Sequence, residues 1–447
     1  MSKIFISFLG TGAPSAKANE PGYDSLTYRF EGDDAPYISR FAQRAIIESH
    51  GVETFDRICL MMTPESKAKH RDLLVEELLS IGCKSEQILE DDSITTNQNT
   101  EQQWEWFDSL QRLINDGDEV VFDFTHGFRS VPIIFSTAIS FLQRVKRFQL
   151  LNAYYGYMVD RAAGTGEIID MAKFYRINEW ADGVSRLVDM ADASKLAELA
   201  EEGKADGFAA LNDKNLTQAL RELTNLIKNI DVNNVGQKAD EALQLIAAKK
   251  ETCTGADAQL LEMVVEKFSG LAIQGSGRYD YDYFRLQLAL SEMLLKHGLN
   301  MQAFTVMREM IASFGMLSAT GKYAKSALNT KKGRTYRKNI GEMFFGLCVT
   351  KRDQWIQETD PENYPAAKLN YFNDMILPFY ERLEQMALIE PLIETAKHIQ
   401  TYRNGLNHAW TNQKEAGLDI AKVGGTSLAS LSEVLKKLNE QGVLVES

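Results

Sequence analysis

The N-terminal part of the chain alternates short apolar runs with amphipathic segments. Between the runs, apolar residues recur at helical spacing, which predicts helices at Tyr37–Ser49, Glu65–Ile81, Glu101–Ile114 and Val131–Val145. The runs themselves have the length and the β-branched or aromatic content of strands: Lys3–Leu9, Ser25–Phe30, Arg57–Met62, Glu119–Phe124 and Phe148–Tyr157. Strands that alternate with helices predict a mostly parallel sheet covered by helices on both faces.

After about Lys173 the strand pattern disappears and long segments of helical period dominate. Five of them are Asn178–Met190, Leu216–Ile230, Asp257–Leu271, Tyr283–Lys296 and Met301–Ser313. No repeat of fixed length is visible, so the pattern does not indicate a solenoid. We therefore predict an α/β domain over residues 1–175 and an all-α region over residues 176–447.

Composition narrows the function classes. The 447 residues are 44% hydrophobic and 25% charged, which is ordinary for a globular protein, and no apolar stretch is long enough for a membrane span. The net charge of −13 argues against a surface that coats DNA. The four cysteines lie far apart and the six histidines show no metal-ligand spacing. We expect a reduced, cytoplasmic compartment, no membrane or DNA partner, and no built-in metal.

Two glycine-containing segments follow predicted strands, Leu9–Pro14 and Asp123–Pro132. The carboxyl ends of parallel strands meet at one edge of a sheet, where ligands of open α/β sheets bind. Glycine lets backbone N–H groups approach a phosphate, and Thr, His and Arg side chains can donate to its oxygens. Either glycine loop or histidine alone would also fit a purely structural turn, but the grouping favours a ligand. The candidate ligand residues are Gly10, Thr11, Gly12, Thr125, His126, Gly127 and Arg129.

The pattern Asp123-x-Thr125-His126-Gly127-x-Arg129-x-x-Pro132 resembles the DxTHG signature of CRISPR-associated proteins with a CARF (CRISPR-associated Rossmann) domain. The run Phe8–Gly12 is similar to the first ligand loop of that family. The resemblance covers roughly the first 170 residues. It implies a Rossmann-like domain that forms a homodimer and binds a cyclic oligoadenylate across the two-fold axis, with the tetra-adenylate as the favoured ring.

One departure concerns tyrosines. The family pattern has a tyrosine-bearing strand soon after the first loop, whereas Tyr23 and Tyr28 follow only after the Ala13–Pro21 segment. A ligand role for these two tyrosines therefore stays open.

The second candidate site is the run Arg403-Asn404-Gly405-Leu406-Asn407-His408 near the end of the helical region. Histidine can move protons to and from ribose and leaving-group oxygens, and arginine can stabilise the charge on a phosphorane. These are the groups that metal-free RNA cleavage needs. On a regular helix, however, positions five apart are about 140° apart, so the site requires a bend, a helix end near Gly405, or a second protomer.

This run resembles the HEPN ribonuclease motif, in which an arginine is followed by a small polar residue and then a histidine. The resemblance implies that Arg403 and His408 are catalytic and that Asn404 supports them. CARF and HEPN domains are usual partners in this family. Together they imply an all-α HEPN domain and a metal-independent endoribonuclease that cuts single-stranded RNA to a 2′,3′-cyclic phosphate. It would act without a cofactor, in a homodimer or higher even oligomer, in type III CRISPR antiviral defence.

Two alternatives remain open at this stage. The helical half can be a binding module only, which makes the protein a non-catalytic sensor or adaptor. The α/β domain can instead degrade the cyclic nucleotide itself, as a ring nuclease. A basic stretch, Lys322–Lys338, holds seven cations and no acid, and fits either an RNA phosphate path or a solvated turn.

Overall fold

The computed structural model describes residues 2–12, 23–92, 94–95, 99–126, 131–203, 208–274, 279–319, 330–355, 370–410 and 419–444. The chain divides into two compact units, Met1–Glu179 and Trp180–Ser447. Helix α5 (Ala172–Met190) runs through the division.

The first unit is built on one mixed sheet of eight strands in the order β3-β2-β8-β7-β6-β1-β4-β5. Strands β7, β6, β1, β4 and β5 form a parallel core; β8 is antiparallel to β7, β2 is parallel to β8, and β3 is antiparallel to β2. The strands are β1 (Lys3–Leu9), β2 (Leu26–Phe30), β3 (Asp33–Ser39), β4 (Arg57–Met62), β5 (Ile88–Asp91), β6 (Glu119–Asp123), β7 (Gln149–Asp160) and β8 (Thr165–Asp170).

Four helices cover the two faces of this sheet: α1 (Ala42–His50), α2 (Pro64–Ser80), α3 (Thr100–Leu113) and α4 (Val131–Lys146). Alternate residues of β1 enter two different cores, because successive strand side chains point to opposite faces. Ile4 and Ile6 pack with residues of α3 and α4, whereas Phe5 and Leu9 pack with residues of α1 and α2. The central strand is therefore buried on both sides, which explains its unbroken apolar sequence.

The predicted α/β architecture is confirmed, but the helix predicted at Tyr37–Ser49 starts later in the structure than in the prediction. Residues 37–39 belong to β3, and α1 starts only at Ala42. The reason is tertiary: the turn at Gly32, with φ of 82°, folds β3 back onto β2, and this pairing overrides the helical spacing of the apolar residues. Strands β3, β5 and β8 were not predicted; β3 and β5 are the two edges of the sheet and carry few buried residues.

The second unit is helical throughout its described residues, as predicted. Its elements after α5 are α6 (Ser194–Glu202), α7 (Lys214–Lys228), α8 (Val235–Lys250), α9 (Gly255–Phe268), α10 (Tyr281–Lys296), α11 (Asn300–Phe314), α12 (Lys331–Tyr336), α13 (Glu342–Val349), α14 (Leu377–Gln385), α15 (Ile389–Asn407) and α16 (Ile420–Glu440). A π-helical stretch, Arg337–Gly341, joins α12 to α13. Helix α15 packs against α11, α13 and α16. None of the helices that the structure describes is both long and apolar enough to cross a membrane.

Candidate functional sites

The two glycine-containing loops lie at the same edge of the sheet. Strands β1 and β6 are parallel neighbours, and their register pairs Ser7 with Asp123, so both chains leave the sheet side by side. After β1 the chain forms the β2–β3 hairpin at the far edge of the sheet, then β4 and β5 on one side of β1, and then β6 on the other side. The loops thus flank the point where the strand order reverses, which is the usual ligand position in open α/β sheets.

A cavity of about 450 Å³ opens between these loops and the β2–β3 and β7–β8 hairpins. Five of the predicted ligand residues line it: Gly10, Thr11, Gly12, Thr125 and His126. The predicted Gly127 and Arg129 lie outside the described residues. The other lining residues are Tyr23, Asp24, Leu26, Tyr28, Arg40, Gly156, Tyr157, Met158 and Arg161.

Asp123, the aspartate of the signature, connects the strand ends at this edge of the sheet. Asp123 is fully buried; its carboxylate accepts hydrogen bonds from the Ser7 hydroxyl at 2.6 Å and from the Thr125 N–H at 2.9 Å. The Thr125 hydroxyl in turn accepts a 2.8 Å bond from the N–H of Gly156 on β7. A Cβ on Gly156 would stand 3.1 Å from the Thr125 hydroxyl. Asp123 and Thr125 therefore hold three strand ends together.

His126 and Tyr23 form the inner wall of the cavity. Their rings lie 4.8 Å apart, and the ring of His70 stands at the same distance from Tyr23 on the other side. His70 donates from Nε2 to the carbonyl oxygen of Thr11 at 2.9 Å, which fixes its tautomer because a carbonyl can only accept. A Cβ on Gly10 would meet the Tyr23 hydroxyl at 3.2 Å, so this glycine permits the close approach.

Burial keeps this wall uncharged. Burial and the neighbouring His70 lower the pKa of His126 to about 4, so its imidazole is neutral at pH 7. Its Nε2 is shielded from solvent and has no hydrogen-bond partner among the described residues. Burial also raises the pKa of Tyr23 and raises the pKa of Tyr28 to about 12, so both phenols keep their protons. The wall offers neutral hydrogen-bond donors to a ligand.

The positive charge of the described cavity comes from two arginines that the sequence did not single out. Arg40 stands between β3 and α1, and Arg161 follows β7 and forms an exposed ion pair with Asp24 at 3.5 Å. Arg40 was missed because residues 37–49 were assigned to one helix, which hid the strand end that carries it. Arg161 gave no local signal, since only the pairing of β8 with β2 brings it to the cavity.

The neutral state of His126 has a consequence for stability. A histidine that binds its proton less readily in the folded state stabilises the fold fully above its unfolded pKa of 6.5, and this stability is lost as the pH falls toward 4. We expect the free energy of unfolding of the wild type, relative to His126→Gln, to drop by about 2 kcal/mol between about pH 7 and pH 4.5. Urea unfolding at the two pH values measures this; an equal difference at both would contradict it.

The second candidate site lies at the end of α15. Apolar and small residues at helical spacing, among them Ile399, Tyr402 and Gly405, bury one face of this helix. Arg403 is half-buried beside that face, and its Nε is shielded from solvent with no hydrogen-bond partner in the part of the chain that the structure describes. His408 is exposed one residue beyond the last helical residue. The helix thus ends directly before His408, so that a helix end is the one of the three expected arrangements that this chain shows.

Asn404 takes part in closing this end through its backbone. Its carbonyl oxygen accepts the N–H of His408 at 3.0 Å, and the backbone then leaves the helix, since Ala409 and Trp410 have φ values of 49° and 57°. His398, which also lies on α15, is exposed one and a half turns before Arg403.

The basic stretch separates into a structural and an exposed part. Arg337 is half-buried and forms ion pairs with Glu309 at 2.6 Å and Glu342 at 3.2 Å, so it ties α11 to the π-helical stretch. Four cations of the stretch are exposed: Lys331, Lys332, Arg334 and Lys338. Residues 320–329 lie outside the described part. Since the π-helical stretch continues into α13, which packs against α15, these cations belong to the same helical assembly as Arg403.

Across the described residues, no group of three or more His, Cys, Asp or Glu side chains is arranged to hold a metal ion. The groups that the second site offers for chemistry are the arginine, which can stabilise negative charge, and the histidine, which can transfer protons.

Comparison with known proteins yields matches among curated sequences and among solved structures. No protein-family model matches the chain. The CRISPR-associated protein MJ1674 of Methanocaldococcus jannaschii is 24% identical over 298 aligned positions, which cover 56% of this chain and 45% of that relative. The match thus spans less than half the length of the relative.

Among solved structures, Enterococcus italicus Csm6 bound to cyclic hexa-2′-fluoro-hexa-dAMP has a TM-score of 0.48 and 13% identity, covering 100% of this chain and 95% of that one. A likeness of this size carries no argument about function. The sequence similarity to MJ1674 agrees with the CRISPR association that the two motifs suggested. The chain is therefore similar in sequence to a CRISPR-associated protein.

Proposed function

We propose that the protein is an endoribonuclease switched on by a cyclic oligoadenylate, acting in CRISPR-associated defence. The observation that carries the nuclease half is the end of α15. There a half-buried arginine, whose Nε has no hydrogen-bond partner among the described residues, precedes an exposed histidine by five residues. The sensor half is supported by the cavity at the strand-order reversal, which combines backbone loops with Arg40 and neutral donors.

The reaction needs only groups that the motif supplies. The 2′-hydroxyl of the RNA loses its proton to a neutral His408 and attacks the adjacent phosphorus. A bond forms between the 2′-oxygen and phosphorus, and the bond from phosphorus to the 5′-oxygen breaks as that oxygen takes up a proton. Arg403 stabilises the negative charge that builds on the phosphoryl oxygens. The products are a 2′,3′-cyclic phosphate and a 5′-hydroxyl, and neither a metal nor a protein nucleophile is required.

A homodimer or higher even oligomer supplies the second catalytic histidine that one chain lacks. One histidine cannot serve as base and acid at once, whereas two copies of His408 in one groove can divide these roles. A ligand with two-fold symmetry suits two copies of the cavity related by a dimer axis. To switch the nuclease fully, the ligand has to favour the active arrangement by roughly 5 kcal/mol, which several phosphate and base contacts can provide.

The direct test is cleavage of a fluorescent single-stranded RNA in the presence of a chelator, with and without cyclic oligoadenylates of three to six units. We expect cleavage with one ring size, the tetra-adenylate first, and 2′,3′-cyclic phosphate ends on the products. Ligand binding without any cleavage would contradict the nuclease and favour a non-catalytic sensor. Cleavage that is equally fast without any ring would contradict the switch.

A second activity can coexist with the first. The neutral His126 lines the cavity, and its Nε2 has no hydrogen-bond partner within the part of the chain that the structure describes, so the imidazole can accept a proton during ring cleavage. Chromatography of the ring after incubation with His408→Ala separates the two activities, because this variant leaves the cavity unchanged. A ring that stays intact in this assay would contradict degradation by the cavity.

A further inference from the structure

The turn after α15 has the hydrogen bonds of a Schellman motif. The N–H of Trp410 donates to the carbonyl oxygen of Gly405 at 2.7 Å, and the N–H of Ala409 donates to that of Leu406 at 3.4 Å. This motif usually has glycine in the left-handed position, whereas here Ala409 has φ of 49° and Trp410 follows with φ of 57°. Two successive left-handed residues with side chains are unfavourable by themselves, so another contact has to hold them.

The indole of Trp410 supplies that contact. It lies directly over Gly405, where an added Cβ would come within 2.5 Å of the ring. Its ring centroid is 5.8 Å from that of Tyr402 in an edge-to-face arrangement, and Tyr402 stacks on Phe304 of α11 at 5.6 Å. The indole is therefore packed onto the last turns of α15 and, through Tyr402, onto the neighbouring helix.

His408 lies inside the loop that this contact closes. On one side it follows the last helical residue and donates its N–H to Asn404; on the other side it is followed by the two left-handed residues. Its side chain is exposed. The backbone turn sets the direction in which this side chain leaves the end of α15 relative to Arg403, and the indole of Trp410 packs on that turn.

We propose that Trp410 is a positioning residue: its indole, seated on Gly405, fixes the turn that holds His408 at the end of α15 beside Arg403. The proposal rests on the proposed function for its catalytic meaning, but its structural content is independent of RNA. Gly405 has a matching role, because any side chain there would displace the indole. A purely structural role would make Trp410 matter for the stability of α15 without any effect on the state of His408.

The first experiment observes His408 directly, without RNA. In protein labelled with ¹³C at histidine Cε1, the His408 signal is assigned by its loss in His408→Ala, and His398 on the same helix serves as an internal reference. We expect Trp410→Ala to shift or broaden the His408 signal and to leave the His398 signal in place, while Trp410→Phe restores most of the wild-type position. An unchanged His408 signal in Trp410→Ala would overturn the proposal.

A second variant separates positioning from helix stability. Gly405→Ala raises the intrinsic helix propensity of α15, so it does not weaken the helix by itself, but its methyl group collides with the indole. We expect Gly405→Ala to change the His408 signal as Trp410→Ala does. Trp104→Ala removes an exposed indole from α3 and serves as a control that leaves the signal unchanged. Normal His408 signals in Gly405→Ala would contradict the contact as the cause.

Kinetics then connect the position to catalysis. We expect kcat for RNA cleavage to fall about tenfold or more in Trp410→Ala and Gly405→Ala with little change in KM, and to recover in Trp410→Phe. A fall in kcat that Trp410→Phe does not recover, or a change confined to KM, would contradict positioning. If the wild type itself cuts no RNA, the proposed function fails, while the His408 signals still decide whether Trp410 places the imidazole.

Discussion

His408→Ala is expected to lower the rate of RNA cleavage by a factor of about 10³ or more, because both the proton acceptor and the proton donor of the reaction are lost with it. Ligand binding should not change, since the cavity lies in the other unit of the chain. Single-turnover cleavage at saturating ligand measures the chemical step, and equilibrium dialysis with a labelled ring measures binding.

The matched control is His398→Ala, which removes another exposed histidine from the same helix. It should cleave at close to the wild-type rate. Equal losses in both variants would point to damage to α15 rather than to a role in proton transfer. Retained cleavage in His408→Ala would place the chemistry elsewhere in the chain.

Arg40→Ala is expected to weaken binding of the cyclic oligoadenylate by roughly 30- to 150-fold. The loss of a charge-assisted hydrogen bond to phosphate in a partly buried cavity is worth about 2–3 kcal/mol, which corresponds to this change in Kd. Cleavage should fail at ligand concentrations that activate the wild type, and should recover when the ligand is raised well above the new Kd.

Arg29→Ala provides the comparison, because Arg29 is exposed on β2 and does not line this cavity. Its Kd should match that of the wild type, and the difference between the two variants should shrink at high salt. Equal affinities of Arg40→Ala and the wild type would show that Arg40 does not contact the ligand.

Much of the fold could be predicted because its strongest patterns are local. Strands such as β1 and β4 are buried on both faces, so their sequences are continuous apolar runs with matching boundaries. The edge strands could not be predicted in this way. Residues 33–39 form β3 only because the chain turns back at Gly32 onto β2, and a short polar edge strand has no periodic signature.

The same distinction applies to the cavity. Gly10, Thr125 and His126 follow buried strands directly, so their convergence at one edge follows from the parallel order of β1 and β6. Arg40 and Arg161 reach the cavity through the pairing of β2 with β8, which joins segments more than 130 residues apart. Nothing in the local sequence specifies such a pairing.

At the second site the sequence indicated a break in the helix but not its form. Gly405 was expected to allow a bend or a helix end. In the structure Gly405 is still helical, and its lack of a side chain makes room for Trp410, whose left-handed backbone ends the helix further on. The requirement for glycine comes from a contact with a later residue, which spacing alone does not reveal.

The position of Asp123 has a consequence for how the proposed sensor could change its ligand in evolution. Because the carboxylate accepts hydrogen bonds from the Ser7 hydroxyl and the Thr125 N–H, it fixes the ends of β1 and β6 next to the cavity. The side chains at the far end of the β7–β8 hairpin, Tyr157 and Met158, line the same cavity and are partly exposed. We therefore expect substitutions of Tyr157 or Met158 to alter which ligand the proposed sensor accepts without disturbing the strand ends that Asp123 holds together.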